Sequence, residues 1–182
     1  MMTDNERHLR EAEARVNVEG GPVWVALDVD VEHKRALFIA RDIVAEEPYH
    51  KRLTSITWED CSLRKWLNTE FLDSLPEQVK SRVVEVTNQN PSNKEYKTAG
   101  GNATKDQVFL LSIDEVKKYF DDDDSRTARF NGTTGWWWLR SPGSTRLSAA
   151  GVIAYGYVST YGYLVFHTAG GVRPAVWLSL GE

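Results

Sequence analysis

Three consecutive tryptophans stand in the string WWWLRSPG, Trp136–Gly143. Successive side chains of a strand point to opposite faces. Trp136 and Trp138 would then face one way, and Trp137 and Leu139 the other. Tryptophan carries the largest side-chain area of any residue, so a fold containing this string has to provide apolar packing on both sides of one strand. From Gly135 onward, glycine and β-formers alternate at short intervals, the pattern of several strands joined by turns. A second string, GVRPAVWL at Gly171–Leu178, repeats the combination of Trp, Arg and Pro. Arg140 and Arg173 lie beside apolar residues in the two strings. A buried guanidinium needs its donors satisfied, and in doing so it can tie several loop carbonyls together. Either arginine can be read as an anion-binding group or as a structural clamp, and the flanking Trp and Pro favour the clamp. Trp137, Arg140, Pro142, Arg173, Pro174 and Trp177 are therefore expected to be scaffold.

The rest of the chain divides by composition. Residues 5–15, NERHLREAEAR, favour helix but lack a wide apolar stripe, which suggests a frayed helix or tail. After Gly20-Gly21-Pro22, VWVALDVD alternates as a half-buried strand does, and ALFIARDIV follows as a second strand across a short turn, a candidate hairpin. Thr57 is placed to cap a core helix over WEDCSLRKWLNTEFL, with Leu63, Trp66, Leu67 and Phe71 on its apolar face. Pro76 can open a shorter helix through EQVKSRV. Residues 87–106, rich in Asn, Gly and Lys, read as a long loop. VFLLS is a short buried strand, and Ser112 caps a helix over Ile113–Phe120. The acidic run DDDDSR lacks the spaced ligands of a calcium loop and reads as solvated. The whole is α+β: two main helices packed with several short antiparallel strands and much irregular loop. A tail or short helix is expected over 1–20, and one domain over 21–182.

Charge and cysteine content narrow the function. A net charge of −4 leaves no basic surplus to displace phosphate counterions, so nucleic acid is not an expected partner. No apolar run is long enough for a membrane span. The charged start has no apolar signal core. The expected location is the cytoplasm, or association with a phage particle or cell surface. The single cysteine, Cys61, excludes an internal disulfide and a multi-cysteine metal site. No Ser–His–acid pattern or glycine-rich phosphate loop stands out. A non-enzymatic protein without cofactor or metal is expected.

Between the two Trp–Arg–Pro strings lies a plainer stretch, VIAYGYVSTYGYLVFHT, Val152–Thr168. It holds Tyr155, Tyr157, Tyr161 and Tyr163, four of the protein's seven tyrosines. Arg146 is the only formal charge from Ser144 to Gly171, in a chain with 22 Lys and Arg and 26 Asp and Glu. Buried sheet is charge-poor for ordinary reasons. Tyrosine, however, offers large contact area, a hydroxyl and few rotors, which suits a binding surface.

The order SLRKWLNTEFL, KDQVFLLSIDEVKKYF, WWWLRSPG, GVRPAVWLSL resembles a family of C-type-lectin-like domains, over about Val23 to Leu180. Many of its members are variable proteins of diversity-generating retroelements. The resemblance implies a lectin-like scaffold that displays a region rewritten by adenine-directed mutagenesis. It places that region at 144–171. Randomising the first two bases of AAC or AAT codons reaches neither Lys, Glu, Gln, Met nor Trp, and none of these occurs from Ser144 to Gly171. The resemblance makes Val152, Gly156, Val158, Gly162 and Val165 inward-facing or turn positions. It makes Thr145, Arg146 and Leu147 candidates for display, with Ile153, Ala154, Tyr155 and Tyr157 in the next segment. Ser159, Thr160, Tyr161, Tyr163 and Leu164 follow, and then Phe166, His167 and Thr168. Tyr155, Tyr157, Tyr161, Tyr163 and Phe166 are expected to share one exposed face. The implied partner is a variable ligand, a protein or cell-surface molecule.

Relatives on this fold use other chemistry that the chain does not carry. The EPN-, QPD- and WND-type strings of calcium-dependent sugar lectins are missing, and QNPSN (Gln89–Asn93) is only a superficial echo. Formylglycine-generating enzymes need paired cysteines. Iron-dependent relatives need clustered histidines, and His8, His33, His50 and His167 are scattered. The alternative function is a structural or adhesion module of the same fold, without diversification, on a phage particle or cell surface.

Overall fold

The computed structural model describes residues 3–181. The first two residues of the expected 1–20 segment, and the last of 21–182, lie outside them. Residues 4–16 form a helix, α1 (Asp4–Val16), rather than a tail. Thr3 and Glu6 close a capping box at its start. Ala12 and Val16 are buried against the domain. The next strand, β1 (Trp24–Asp30), is bound to it: Asn17 accepts from the Trp24 amide at 2.7 Å, and Glu13 accepts from the Ala26 amide at 2.8 Å. Two buried side chains and these polar bridges do what a wide apolar stripe would otherwise do.

β1 pairs antiparallel with β2 (Arg35–Ala40), and the VEHKR segment turns between them. Short strand β3 (Ala45–Glu46) follows. Thr57 does not cap the core helix. Its side chain makes no cap bond and lies against Gly101, while Trp58–Asp60 forms a single 3₁₀ turn. The helix begins one turn later, as α2 (Ser62–Trp66), with Cys61 Sγ accepting from the Arg64 amide at 3.4 Å. It passes through a π turn at Leu67–Phe71 into α3 (Leu72–Ser74). Leu63, Leu67, Phe71 and Leu72 are buried along it. The helix after Pro76 is α4 (Glu77–Lys80), shorter than EQVKSRV, because Val83 and Val84 leave it to form strand β4.

The expected long loop over 87–106 has paired ends. β5 (Val86–Asn88) and β6 (Thr104–Asp106) form a two-stranded ribbon. Asp106 fixes it: this buried carboxylate accepts from Arg64 Nε at 2.6 Å, Thr104 Oγ1 at 2.7 Å, Asn88 Nδ2 at 2.9 Å and Trp58 Nε1 at 3.1 Å. β7 (Val108–Phe109) leads to α5 (Ile113–Tyr119), whose N-cap is Ser112 in a capping box with Glu115. The acidic run is not all loop. Asp122 caps a single turn, α6 (Asp123–Arg126). A ribbon of β8 (Ala128–Phe130) and β9 (Thr133–Gly135) precedes β10 (Trp137–Pro142). Strands β11 (Ser148–Val152), β12 (Val158–Leu164), β13 (Gly171–Val172) and β14 (Ala175–Ser179) complete the chain.

Among the described residues there are two five-stranded sheets. The first runs β1-β2-β14-β4, with β7 also on β14, so the C-terminal strand lies at its centre. The second runs β12-β11-β10-β13-β3, with β10 and β13 parallel. WWWLRSPG and GVRPAVWL therefore meet side by side in the second sheet, and the latter continues into the first. Few helices accompany this, and most of the regular structure is strand: a mixed α/β domain. Among the described residues no helix is long and apolar enough to cross a membrane.

Candidate ligand-binding surface

The stretch from Ser148 to Leu164 is a hairpin of β11 and β12, and its backbone is fixed from beneath. Val152, Val158 and Val165 are buried. At its tip the Ile153 amide donates to the Tyr157 carbonyl at 2.9 Å, and the Gly156 amide donates to the Ile153 carbonyl at 2.8 Å. Gly156 has a φ of 87°, and a Cβ there would run into the Asp123 carbonyl. Gly162 has a φ of 80°, and a Cβ there would strike the Ala149 carbonyl. Only glycine meets both demands cheaply. The register shifts on β12 between Ser159 and Tyr163, so the strand bulges around Gly162.

From this frame large side chains project. Tyr155 is 82% exposed, Tyr157 62% and Tyr161 64%. Leu147, Leu164 and Phe166 are exposed as well, as are Thr145, Arg146, His167 and Thr168. Ile153, Ala154, Ser159 and Thr160 are half-buried. Tyr163 departs from the expected shared face. Its ring stacks on Trp136 at 3.9 Å and meets Trp138 edge-on at 6.2 Å, which leaves it half-buried. Burial raises its phenol pKa. The cause is the bulge: with Gly162 at positive φ, Tyr161 and Tyr163 no longer share one face as residues i and i+2 of a flat strand would. Trp136 is also covered edge-on by His167, at 5.2 Å.

One neighbour of this surface has no signal in the stretch itself. Tyr96, from the loop between β5 and β6, packs edge-on against Tyr161 at 5.9 Å. Partial burial, and then the nearby charges of Glu95, Tyr161 and Tyr157, raise its phenol pKa. Glu95 also accepts from the Thr160 hydroxyl. Asn93, itself buried, holds this loop in place. Its Nδ2 donates to the carbonyls of Thr160 at 2.9 Å and Pro142 at 3.0 Å, and its Oδ1 accepts from the amides of Glu95 and Tyr96. The sequence offered one hint, an asparagine two residues after a proline at the end of QNPSN, a turn-like setting where side-chain-to-backbone bonding is common.

The framing strings supply rigid support. Arg140 is buried, forms an ion pair with Glu115, and donates to the carbonyls of Leu110 at 2.9 Å and Gln89 at 3.0 Å. The Arg140 carbonyl accepts from Tyr49 Oη at 2.8 Å. Arg173 is buried between Trp137, at 4.9 Å, and Phe120, at 5.2 Å. Its Nε donates to the Ala40 carbonyl at 2.8 Å. Trp137, Pro142 and Pro174 are buried, and Trp177 is half-buried under the Arg35 guanidinium, at 4.8 Å. Among the described residues no group of three or more His, Cys, Asp or Glu could hold a metal ion.

The described residues thus define a mixed α/β domain, mostly strand, whose glycine-shaped hairpin presents an aromatic surface. Over residues 34–180 the chain matches the family model described as Domain of unknown function (DUF6273), and it belongs to that family. The matched stretch contains both Trp–Arg–Pro strings and the whole hairpin. No curated protein and no solved structure matches the chain.

Proposed function

We propose that this is a non-enzymatic display protein on a C-type-lectin-like scaffold, with residues 144–171 diversified by adenine-directed mutagenesis. Its ligand is a protein or cell-surface molecule bound through the aromatic face. One observation carries the reading. In the hairpin and the residues just after it, positions whose side chains are buried or must be glycine are interspersed with positions whose side chains reach solvent. Val152, Gly156, Val158, Gly162 and Val165 hold the backbone, while Tyr155, Tyr157, Tyr161, Leu164 and Phe166 reach solvent. A surface rewritten at random needs that separation, because stability has to reside in residues the process leaves alone. Tyr163 fits less well, since its ring is part of the packing. The absence of Lys, Glu, Gln, Met and Trp from 144–171 supports the same reading.

The test is genetic. The DNA flanking the gene should hold a near-identical repeat of the 144–171 coding stretch, rich in AAC and AAT codons, beside a reverse transcriptase gene. Deep sequencing of a cell population should show substitutions concentrated at the display codons. A flanking region with neither element would instead support a fixed structural or adhesion module.

A further inference from the structure

The two framing arginines are not equally satisfied. Arg140 has a carboxylate partner and several carbonyls. Arg173 is just as buried, at 3% exposed, and has no carboxylate within ion-pair distance among the described residues. Its Nε and Nη1 donate to the carbonyls of Ala40, at 2.8 Å, and Arg126, at 3.3 Å. Nη2 donates to no protein acceptor among the described residues. Burial draws its pKa down to about 10, with the Asp42 charge opposing. A buried cation held only by carbonyls and ring faces lacks the anion that normally offsets its desolvation.

Arg173 lines an open cavity of about 610 Å³, between the β1 segment Val25–Leu27, the end of α5 at Phe120, and β8. Arg41 and Arg129 line the same cavity, and among the described residues Asp42 is its one carboxylate. Arg41 pairs with Asp42 at 3.1 Å, and Arg129 Nη1 donates to the Gly132 carbonyl at 2.9 Å. Three guanidinium groups against one carboxylate make this cavity cationic in a molecule of net charge −4. Its volume is in the range that accepts small ligands, about 300–1,000 Å³.

The geometry points to a binding site for an oxyanion, a phosphate or a carboxylate, held by Arg173 Nη2 with Arg41 and Arg129 at its entrance. Guanidinium groups bind such anions through short, charge-assisted, often paired hydrogen bonds. Val25, Leu27 and Phe120 supply apolar walls for an organic body carrying the anion. The site contains no residue of 144–171 and does not depend on the display reading.

The test is an NMR titration of the intact protein at constant ionic strength, with inorganic phosphate in one arm, acetate in a second and chloride as reference. The Trp137 indole N–H stacks beside Arg173 and donates to Arg126, so it reports on the site. Saturable shifts of that signal and of the Thr127–Arg129 amides are expected with phosphate, acetate or both. Whichever arm responds identifies the anion. In the variant carrying both Arg41→Gln and Arg129→Gln, affinity should fall by about tenfold or more while the spectrum stays dispersed. Arg41 and Arg129 are exposed, so this variant avoids the unfolding that loss of Arg173 would cause. No saturable response in either arm, or a response of equal affinity in the double variant, would overturn the site.

Discussion

Cys61 illustrates how burial sets chemistry at single residues. Its thiol is buried at the start of α2, and burial pushes its pKa up to about 12. Such a thiol is a poor nucleophile. Native protein at pH 8 should therefore resist an aromatic disulfide reagent, whereas protein unfolded in guanidinium should release one equivalent of chromophore per chain. The pH dependence has a fixed sign. Well below its ordinary value of 9.0 the thiol is neutral in folded and unfolded chains alike. As pH rises from there toward 12, the unfolded chain ionises first, and stability declines. Residues with strict demands were the ones legible in the sequence. Trp137, Arg140 and Arg173 could be expected to be buried, as they are, because a large ring or a guanidinium in apolar surroundings has few tolerable positions. Tyr161 and Tyr163 could not be told apart, because their different fates depend on the backbone turn at Gly162. Arg173 also shows that a clamp can keep a donor free, a distinction that hydrogen-bond geometry makes and residue type does not.

At the scale of elements, strands and caps were read well where a local pattern determined them. The β1–β2 hairpin follows from alternation, and α5 from the Ser112 capping box. Thr57 failed as a cap because its side chain packs against Gly101, a residue 44 positions away in a loop whose fold the local string does not reveal. The ribbon of β5 and β6 was missed for a similar reason: Asp106 ties Asn88, Trp58 and Arg64 together, and this long-range network outweighs the loop-like composition. Within the loop between these two strands Asn93 is a buried anchor that bonds several backbone groups at once, and that makes a prediction. Asn93→Ala should lower stability by about 1–3 kcal/mol, since it strands several buried carbonyls and amides. It should also make the 89–103 loop cleavable by protease under native conditions. Urea denaturation and limited proteolysis would check both. A variant as stable and as resistant as the parent would show that the loop does not depend on Asn93.

For the whole molecule, the α+β class was visible in the spacing of turns and apolar runs. The central place of β14, which joins the first sheet to the second through GVRPAVWL, was not. Non-local strand order leaves little trace in a local pattern. The molecule also gives a simple expectation for metals. The acidic run is used to cap α6 and to pair Arg126 with Asp123, at 2.6 Å. Melting midpoints in EDTA and in excess calcium should then coincide, and a rise of many degrees with calcium would show that the run is a site after all. The central claim is that the hairpin surface can change freely while the framing strings cannot. It is tested most directly by the melting midpoint of a triple variant, Tyr157→Ser, Tyr161→Asp and Phe166→Asn, beside the single variants Trp137→Ala and Arg140→Ala. Exposed substitutions change stability by about 0.5 kcal/mol or less each. Loss of a buried Trp, or of one partner of a buried ion pair, costs about 3–5 kcal/mol. At about 2–4 °C per kcal/mol for a domain of this size, the triple variant should melt within a few degrees of the parent, and the two single variants on the order of 10 °C lower. A triple variant that melts as low as Trp137→Ala would make the hairpin part of the core and contradict the account.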